Sequence, residues 1–159
     1  MDSELKKDYT MRISQANRSE LVVIVYELFM YSLDTSEECF KDGNIDEAVR
    51  YLKKSQECIC ELRRSLDFKY GISRNLEELY GYVHRQIVTS ITRREPVNYD
   101  ETRKVMGTLK EAFAKVARQD SSAPVMQNTQ QIYAGLTYGK GKLNEVFMNN
   151  NESSRGFMA

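Results

Sequence analysis

Residues 21–33 read LVVIVYELFMYSL, and only Glu27 and Ser32 in this stretch are not hydrophobic. At about 100° per residue, the apolar side chains fall on two stripes of a helix. The first stripe consists of Leu21, Val25, Leu28 and Ser32 and continues through Thr35 to Cys39. The second consists of Val22, Tyr26, Phe29, Leu33 and Phe40. Because a surface helix normally carries one apolar stripe, this helix is either central to its bundle or keeps one stripe for a partner.

The composition restricts the classes of protein to consider. A chain of 159 residues fits one domain of ordinary size. Its 23 basic residues balance 23 acidic ones, which gives no sign of a nucleic-acid or anionic-membrane surface. The N-terminus lacks an apolar signal segment, and no apolar stretch reaches the roughly 20 residues needed to cross a bilayer. We therefore expect a cytoplasmic protein with no nucleic-acid or membrane partner.

Several features favour an all-helical domain. The chain has two prolines and no tryptophan, and β-branched runs are rare outside the opening stretch.

The three cysteines, Cys39, Cys58 and Cys60, are an odd number in helical patterns. We interpret them as reduced packing residues rather than a disulfide framework.

A recurring cap pattern marks three helix starts. Asn-x-x-Glu occurs at residues 17–20, 44–47 and 98–101, each time just before an apolar run of helical period. In such a capping box the Asn side chain accepts from the third helical amide, and the Glu side chain accepts from the Asn amide. Each site therefore predicts the start of a helix.

Helix ends are marked by glycine and proline. Gly43 is the expected left-handed cap of the first helix, and the last turn of the third must precede Pro96. The predicted helices cover residues 18–41, 45–67, 73–93 and 99–118. Four helices of similar length with short connections must pack as antiparallel neighbours, which predicts an antiparallel four-helix bundle.

The first helix has more apolar surface than one core face needs. We assign the face of Leu21, Val25 and Leu28 to the core, which leaves a surplus stripe of Val22, Tyr26, Phe29 and Leu33. On the fourth helix the expected core face is Val105, Leu109, Ala112 and Val116, with Met106 and Phe113 alongside. Burying each such side chain is worth roughly 1.5–3 kcal/mol. Three arrangements are open. Other parts of the chain cover the surplus stripe, or a groove there receives a segment of another protein, or an arm covers the groove until that segment displaces it.

The two ends of the chain have a different character. Residues 1–16 form a polar arm whose apolar points, Tyr9 and Ile13, lie either on one side of a helical turn or along extended chain. After a linker signal at residues 120–124, a short helix could present Val125, Thr129, Ile132 and Leu136 on one face. The last residues have the composition of a flexible, disordered tail. The predicted domains are the arm 1–16, the bundle 17–119, and the linker and tail 120–159.

No constellation of residues supports catalysis or metal binding. His84 is the only histidine, and nothing places it beside a cysteine. Gly81 stands where the Glu-x-x-His ligands of a di-iron bundle need an acid. Residues 85–87, Arg-Gln-Ile, lack the lysine and small residue that follow a phosphotransfer histidine. Cys58 and Cys60 point about 200° apart on a helix and cannot share a metal. We predict no enzyme, metal or cofactor.

Four segments resemble, in order, the flagellin-specific export chaperones of the FliS family. They are Tyr9, Ile13, Ala16, Glu20, Leu21 and Tyr26; GNIDEA at 43–48; ELRRSLD at 61–67; and NLEELYGY at 75–82. The last is the most specific, since it is similar to the family signature Asn-Leu-x-x-Leu-Tyr-x-Tyr. The likeness covers roughly residues 9–117. At residues 15–18, Gln-Ala-Asn-Arg replaces the usual Thr-Ala-Ser-Pro.

The resemblance implies a function and a partner. Such chaperones hold the disordered C-terminal region of flagellin, which becomes helical in apolar grooves of the bundle, and no nucleotide is used. Holding it prevents premature polymerisation and aids delivery to the flagellar type III export apparatus. The export gate and a co-chaperone are further candidate partners. With the surplus stripe, the resemblance suggests these residues for binding flagellin, the client: Tyr9, Ile13, Val22, Tyr26, Phe29, Leu33 and Tyr80. For Tyr80, packing inside the bundle is the equal alternative.

A second interpretation comes from the apolar surplus alone. The extra stripe could close a dimer, which would make the protein a helical adaptor or interaction module. Histidine phosphotransfer on His84 is the enzymatic alternative and is disfavoured by the residues around it.

Overall fold

The computed structural model describes residues 1–126, and the regular structure in this range is entirely α-helical. The helices are α1 (Ser3–Gln15), α2 (Arg18–Lys41), α3 (Ile45–Arg64), α4 (Ile72–Arg93) and α5 (Tyr99–Gln119). The all-α fold class and the four bundle helices are confirmed, and α2, α3 and α5 begin where the Asn-x-x-Glu patterns predicted. Most of the predicted C-terminal short helix, and the whole predicted tail after it, lie outside the described residues.

The chain forms two compact units. Residues 17–123, which include α2 to α5, form one of them. The other contains α1, and in it the Val125 amide donates a hydrogen bond to the Ala16 carbonyl (3.1 Å). Residues 3–15 are helical, so Tyr9 and Ile13 adopt the helical rather than the extended alternative. The division into domains 1–16, 17–119 and 120–159 stays a prediction.

The central helix of the larger unit is α2. It packs against both α3 and α5, and α3 packs against α4, whereas α4 and α5 contact each other sparsely. The connected core comprises Tyr26, Phe29, Leu33, Leu52, Ile59, Leu62, Leu76, Tyr80, Val83, Ile87, Tyr99 and Met106.

The assignment of the stripes to core and surface was wrong. Tyr26, Phe29 and Leu33, placed in the surplus stripe, have no exposed surface. The stripe expected in the core, Leu21, Val25 and Leu28, is only partly buried. A physical reason is size: aromatic side chains remove more apolar area from water than valine does, so packing favours turning them inward.

The same exchange of faces occurs on α5. Met106, expected alongside the core, is fully buried. Ala112 and Val116, expected to face the core, are exposed. Both helices therefore keep apolar side chains on a flank of the bundle.

The capping box at the start of α2 is confirmed. The Asn17 side-chain oxygen accepts from the Glu20 amide, and the Glu20 carboxylate accepts from the Asn17 amide, both at 2.9 Å. The Asn17 side-chain amide also donates to the Asp120 carbonyl (3.1 Å), which links the start of α2 to the end of α5.

The other two asparagines do not cap with their side chains. Gly43 adopts the predicted left-handed conformation (φ +75°), and the Asn44 amide donates back to the Cys39 carbonyl (2.8 Å) in a Schellman turn. Asn98 is itself left-handed (φ +53°), and its side chain donates to the Gln86 side chain (2.7 Å). The helix starts were predicted correctly, but the capping-box mechanism is wrong at these two sites, because the preceding turns set their backbone conformation.

A charge cluster links α5 to α2. The Arg103 guanidinium donates to Asp34 (2.9 Å) and Glu37 (3.1 Å) on α2 and to Asp100 (3.0 Å) on its own helix. These ion pairs connect α5 to α2 across the surface of the bundle.

Candidate functional site

An apolar groove lies between the N-terminal half of α2 and the C-terminal end of α3. Its apolar lining residues are Leu21, Val22, Val25 and Leu62, and its polar ones are Arg18, Glu61 and Ser65. Its volume is about 180 Å³, below the roughly 300 Å³ at which small-molecule pockets begin. This α2–α3 groove suits aliphatic side chains of a polypeptide better than a whole cofactor.

The groove is supported from below by the core. Leu62 is 2% exposed and belongs to the connected core. Val22 and Val25 are partly buried and pack against the same core. Because these side chains are held by packing, the groove exists before any ligand arrives, which lowers the entropic cost of binding.

A second apolar surface runs along α5. Val105, Leu109, Ala112 and Val116 follow one another at spacings of four, three and four residues, so they share one side of the helix. Val105 and Leu109 pack partly against the core, whereas Ala112 is exposed and Val116 is 54% exposed. We refer to these four residues as the α5 stripe.

The structure places four of the seven predicted client-binding residues inside the bundle. Tyr26, Phe29 and Leu33 are 0% exposed and Tyr80 is 1% exposed. The Tyr26 and Tyr80 hydroxyls form a hydrogen bond to each other, and the Tyr26 ring stacks on Phe113 with 5.5 Å between centroids. These side chains offer no surface to a partner in this structure.

The other three predicted residues are accessible in part. Val22 lines the α2–α3 groove. Tyr9 and Ile13 are partly exposed on α1, where Arg12 lies over the Tyr9 ring at 5.3 Å from its centroid.

Sequence reasoning missed the other members of the groove and the α5 stripe as binding candidates. Leu21, Val25 and Val116 had been assigned to the core, because an apolar stripe of helical period is the usual mark of a core face. The sequence therefore contained the apolar stripes, but it did not show which stripe of each helix faces the core.

The comparison with protein families identifies the chain. The family model described as flagellar protein FliS matches residues 1–120. The chain belongs to the FliS family. This is a family of flagellar export chaperones that bind other flagellar proteins, and the match covers all five helices. A search of curated proteins finds no significant match.

The single histidine of this FliS chain, His84, lies on α4. His84 is half-buried, with its Nε2 3.4 Å from the Gln56 side-chain nitrogen. Burial lowers the pKa of His84, and the nearby Arg63 and Arg85 guanidinium groups lower it further. Within residues 1–126, no three His, Cys, Asp or Glu side chains are close enough to hold a metal ion.

None of the helices that the structure describes in this FliS chain, within residues 1–126, is both long enough and apolar enough to cross a bilayer.

Proposed function

We propose that this FliS-family chain is a cytoplasmic export chaperone that holds the disordered C-terminal region of flagellin, its client, on apolar surfaces of the bundle. Flagellin held in this way cannot polymerise prematurely and can be presented to the flagellar type III export apparatus. The observation that carries the proposal is the preformed apolar α2–α3 groove. The export gate and a co-chaperone are proposed as further partners; nucleic acid, membranes and cofactors have no part in the mechanism.

The energetics require more than one contact surface. A disordered segment that folds on binding must offset its ordering entropy with a large apolar contact area. A groove of about 180 Å³ accepts few side chains, so it cannot hold such a segment alone. The α5 stripe supplies further area, and its repeat of four, three and four residues matches the anchor spacing of an amphipathic helix.

We therefore assign client contact to the accessible apolar residues. In the groove these are Leu21, Val22 and Val25, and on the α5 stripe they are Ala112 and Val116.

The family resemblance adds Tyr9 and Ile13 on α1 as proposed contacts. The four buried candidates, Tyr26, Phe29, Leu33 and Tyr80, receive a supporting role: they hold the helices whose outer faces form the surfaces.

The direct test is titration calorimetry of the full chain with a peptide covering the C-terminal region of flagellin from the same organism. We expect a tight complex of one chain with one peptide. Absence of binding would refute the proposal. Sedimentation velocity of the free chain tests the adaptor hypothesis, which predicts a dimer at micromolar concentration.

Matched valine variants locate the client. Val22→Asp places a charge in the groove, and Val88→Asp places the same charge on α4, outside the groove and the α5 stripe. We expect Val22→Asp to weaken peptide binding by a factor of about 10 or more, since 1.4 kcal/mol is tenfold, and Val88→Asp to leave it unchanged. Circular dichroism melting of both variants checks that folding is retained. Equal affinities would remove the groove from the proposal.

A further inference from the structure

The α3–α4 connection carries the three most exposed large apolar side chains among the described residues. Phe68 is 60%, Tyr70 66% and Ile72 64% exposed. They alternate over five positions between the end of α3 at Arg64 and the first turn of α4. We refer to Phe68, Tyr70 and Ile72 as the loop patch. Exposed apolar groups gathered in this way are typical of interaction sites rather than of a solvated turn.

The backbone beneath the loop patch is held in place. The Lys69 amide donates to the Asp67 carboxylate (3.0 Å), and the Tyr70 amide donates to the Asp67 carbonyl (3.2 Å). The hydroxyl of the buried Ser73 donates to the same carbonyl (2.6 Å). Because this turn is closed at both ends, its outward-facing side chains are displayed in a defined arrangement.

The basic side chains beside the loop patch differ in their pairing. Residues 64–75 contain Arg64, Lys69 and Arg74 and one acidic side chain, Asp67, and all four are exposed. The Arg64 guanidinium pairs with Glu61 on α3 (3.3 Å), and the Asp67 carboxylate accepts from the Lys69 amide. Lys69 and Arg74 therefore supply the positive charge that a partner can meet at the patch.

The loop patch is separate from the surfaces proposed for flagellin. The lining of the α2–α3 groove ends at Ser65, and the α5 stripe begins at Val105. None of the patch residues belongs to either surface.

We propose that the loop patch is a second docking surface, which takes a segment of a partner protein that combines aromatic or aliphatic side chains with acidic ones. The apolar side chains of that segment cover Phe68, Tyr70 and Ile72. Its carboxylates face Lys69 and Arg74, which gives a charge complementarity that raises the association rate and selects the partner.

The test uses a random dodecapeptide display library on the full-length protein. Clones are selected on the wild type and counter-selected on the triple variant Phe68→Ser/Tyr70→Ser/Ile72→Ser. Val88→Ser serves as the control, since it removes an exposed apolar side chain of α4 outside the loop, the α2–α3 groove and the α5 stripe. The best selected peptide is then labelled, and its affinity is measured by fluorescence anisotropy at low and high salt.

We expect peptides that are net acidic and carry at least one aromatic or aliphatic residue. Their affinity should fall at least tenfold in the triple variant, stay unchanged in Val88→Ser, and weaken as salt rises. If the triple variant melts below the wild type, the single variant Tyr70→Ser replaces it, and we again expect a lower affinity for the selected peptide.

Four results would overturn the proposal. They are the absence of loop-dependent clones, loop-dependent clones that are neutral or basic, loop-dependent dimerisation in sedimentation, and loop-dependent pelleting with phosphatidylglycerol vesicles. The last two would assign the patch to a second copy or to a lipid surface. None of these results concerns flagellin binding, so this proposal and the proposed function fail independently.

Discussion

The hydroxyl of Tyr26 on α2 is hydrogen-bonded to the hydroxyl of Tyr80 on α4 inside the bundle. Both side chains are buried, so each hydroxyl depends on the other to replace its lost water. The pair joins two helices that lie diagonally across the bundle. It also explains how a core can hold two phenols, which the sequence had suggested as candidates for binding a client.

Removing one hydroxyl of this pair should cost more than removing both. Tyr26→Phe leaves the Tyr80 hydroxyl buried without its partner, and we expect a loss of about 1–3 kcal/mol of unfolding free energy. The double variant Tyr26→Phe/Tyr80→Phe should recover part of that loss. Urea unfolding followed by circular dichroism measures all three proteins and Tyr80→Phe. A double variant whose loss equals the sum of the single losses would mean that the hydroxyls are not coupled.

Core and groove substitutions should separate folding from binding. Phe29→Ala removes a fully buried ring from α2, and we expect it to destabilise the fold by about 3–5 kcal/mol. Leu21→Ala, in the groove on the same helix, should cost far less stability and should weaken the complex with the flagellin peptide. Thermal melting and calorimetry are compared for both variants. A Leu21→Ala variant that binds normally would move the client away from this groove.

The three asparagines before helices should differ in importance. Asn17→Ala removes both a capping oxygen and a contact to Asp120, and we expect a loss of about 0.5–2 kcal/mol. Asn44→Ala is the matched control, because the Asn44 side chain makes no capping bond. Urea midpoints measure the difference, and similar losses in the two variants would contradict the assigned cap.

Replacing each of two glycines by alanine tests the backbone conformation, because the two substitutions should change the stability in opposite directions. An added Cβ would meet nothing within 4 Å at either Gly43 or Gly107, so steric crowding does not enter the comparison. Gly43→Ala forces a side chain into a left-handed conformation (φ +75°) and should destabilise by about 1–2 kcal/mol. Gly107→Ala, inside α5, should stabilise by about 0.5–1 kcal/mol. Stability changes of the same sign would be inconsistent with this backbone.

Alkaline pH should destabilise the fold through its buried phenols. Burial raises the pKa of Tyr99 to about 12, although its hydrogen bond with Ser36 (2.8 Å) acts in the opposite direction. The unfolded value is about 10, so between about pH 10 and 12 the folded state keeps a proton that the unfolded state has lost. The stability contributed by this group is complete below about pH 10 and falls as pH rises through the folded pKa.

The measurement is the urea midpoint of wild type and Tyr99→Phe at several pH values above about 9, where tyrosines titrate. We expect a shallower decline in Tyr99→Phe. Burial also raises the pKa of Tyr26 and Tyr80, so part of the decline should persist. Identical slopes in the two proteins would mean that Tyr99 ionises equally in the folded and unfolded states.

Local signals in the sequence predicted the helices well. Gly43, the Asn-x-x-Glu patterns and Pro96 act within one or two turns of the backbone, so they locate helix limits without knowledge of the fold. The second helix was predicted to reach residue 67, yet α3 ends at Arg64. The difference arises because Asp67 closes the following turn with the amides of Lys69 and Tyr70. The family signature at residues 75–82 could likewise be recognised from the order of residues alone, without knowledge of the fold.

The sequence by itself determined that this chain is a helical bundle with more apolar helix surface than four ordinary core faces require. Only the tertiary structure decided which surface is left over. Helical periodicity reports how wide an apolar arc is, whereas the direction in which it faces depends on the competition among all four helices for one interior. The larger aromatic side chains Tyr26 and Phe29 are inside, and the aliphatic Leu21 and Val25 line the outer groove.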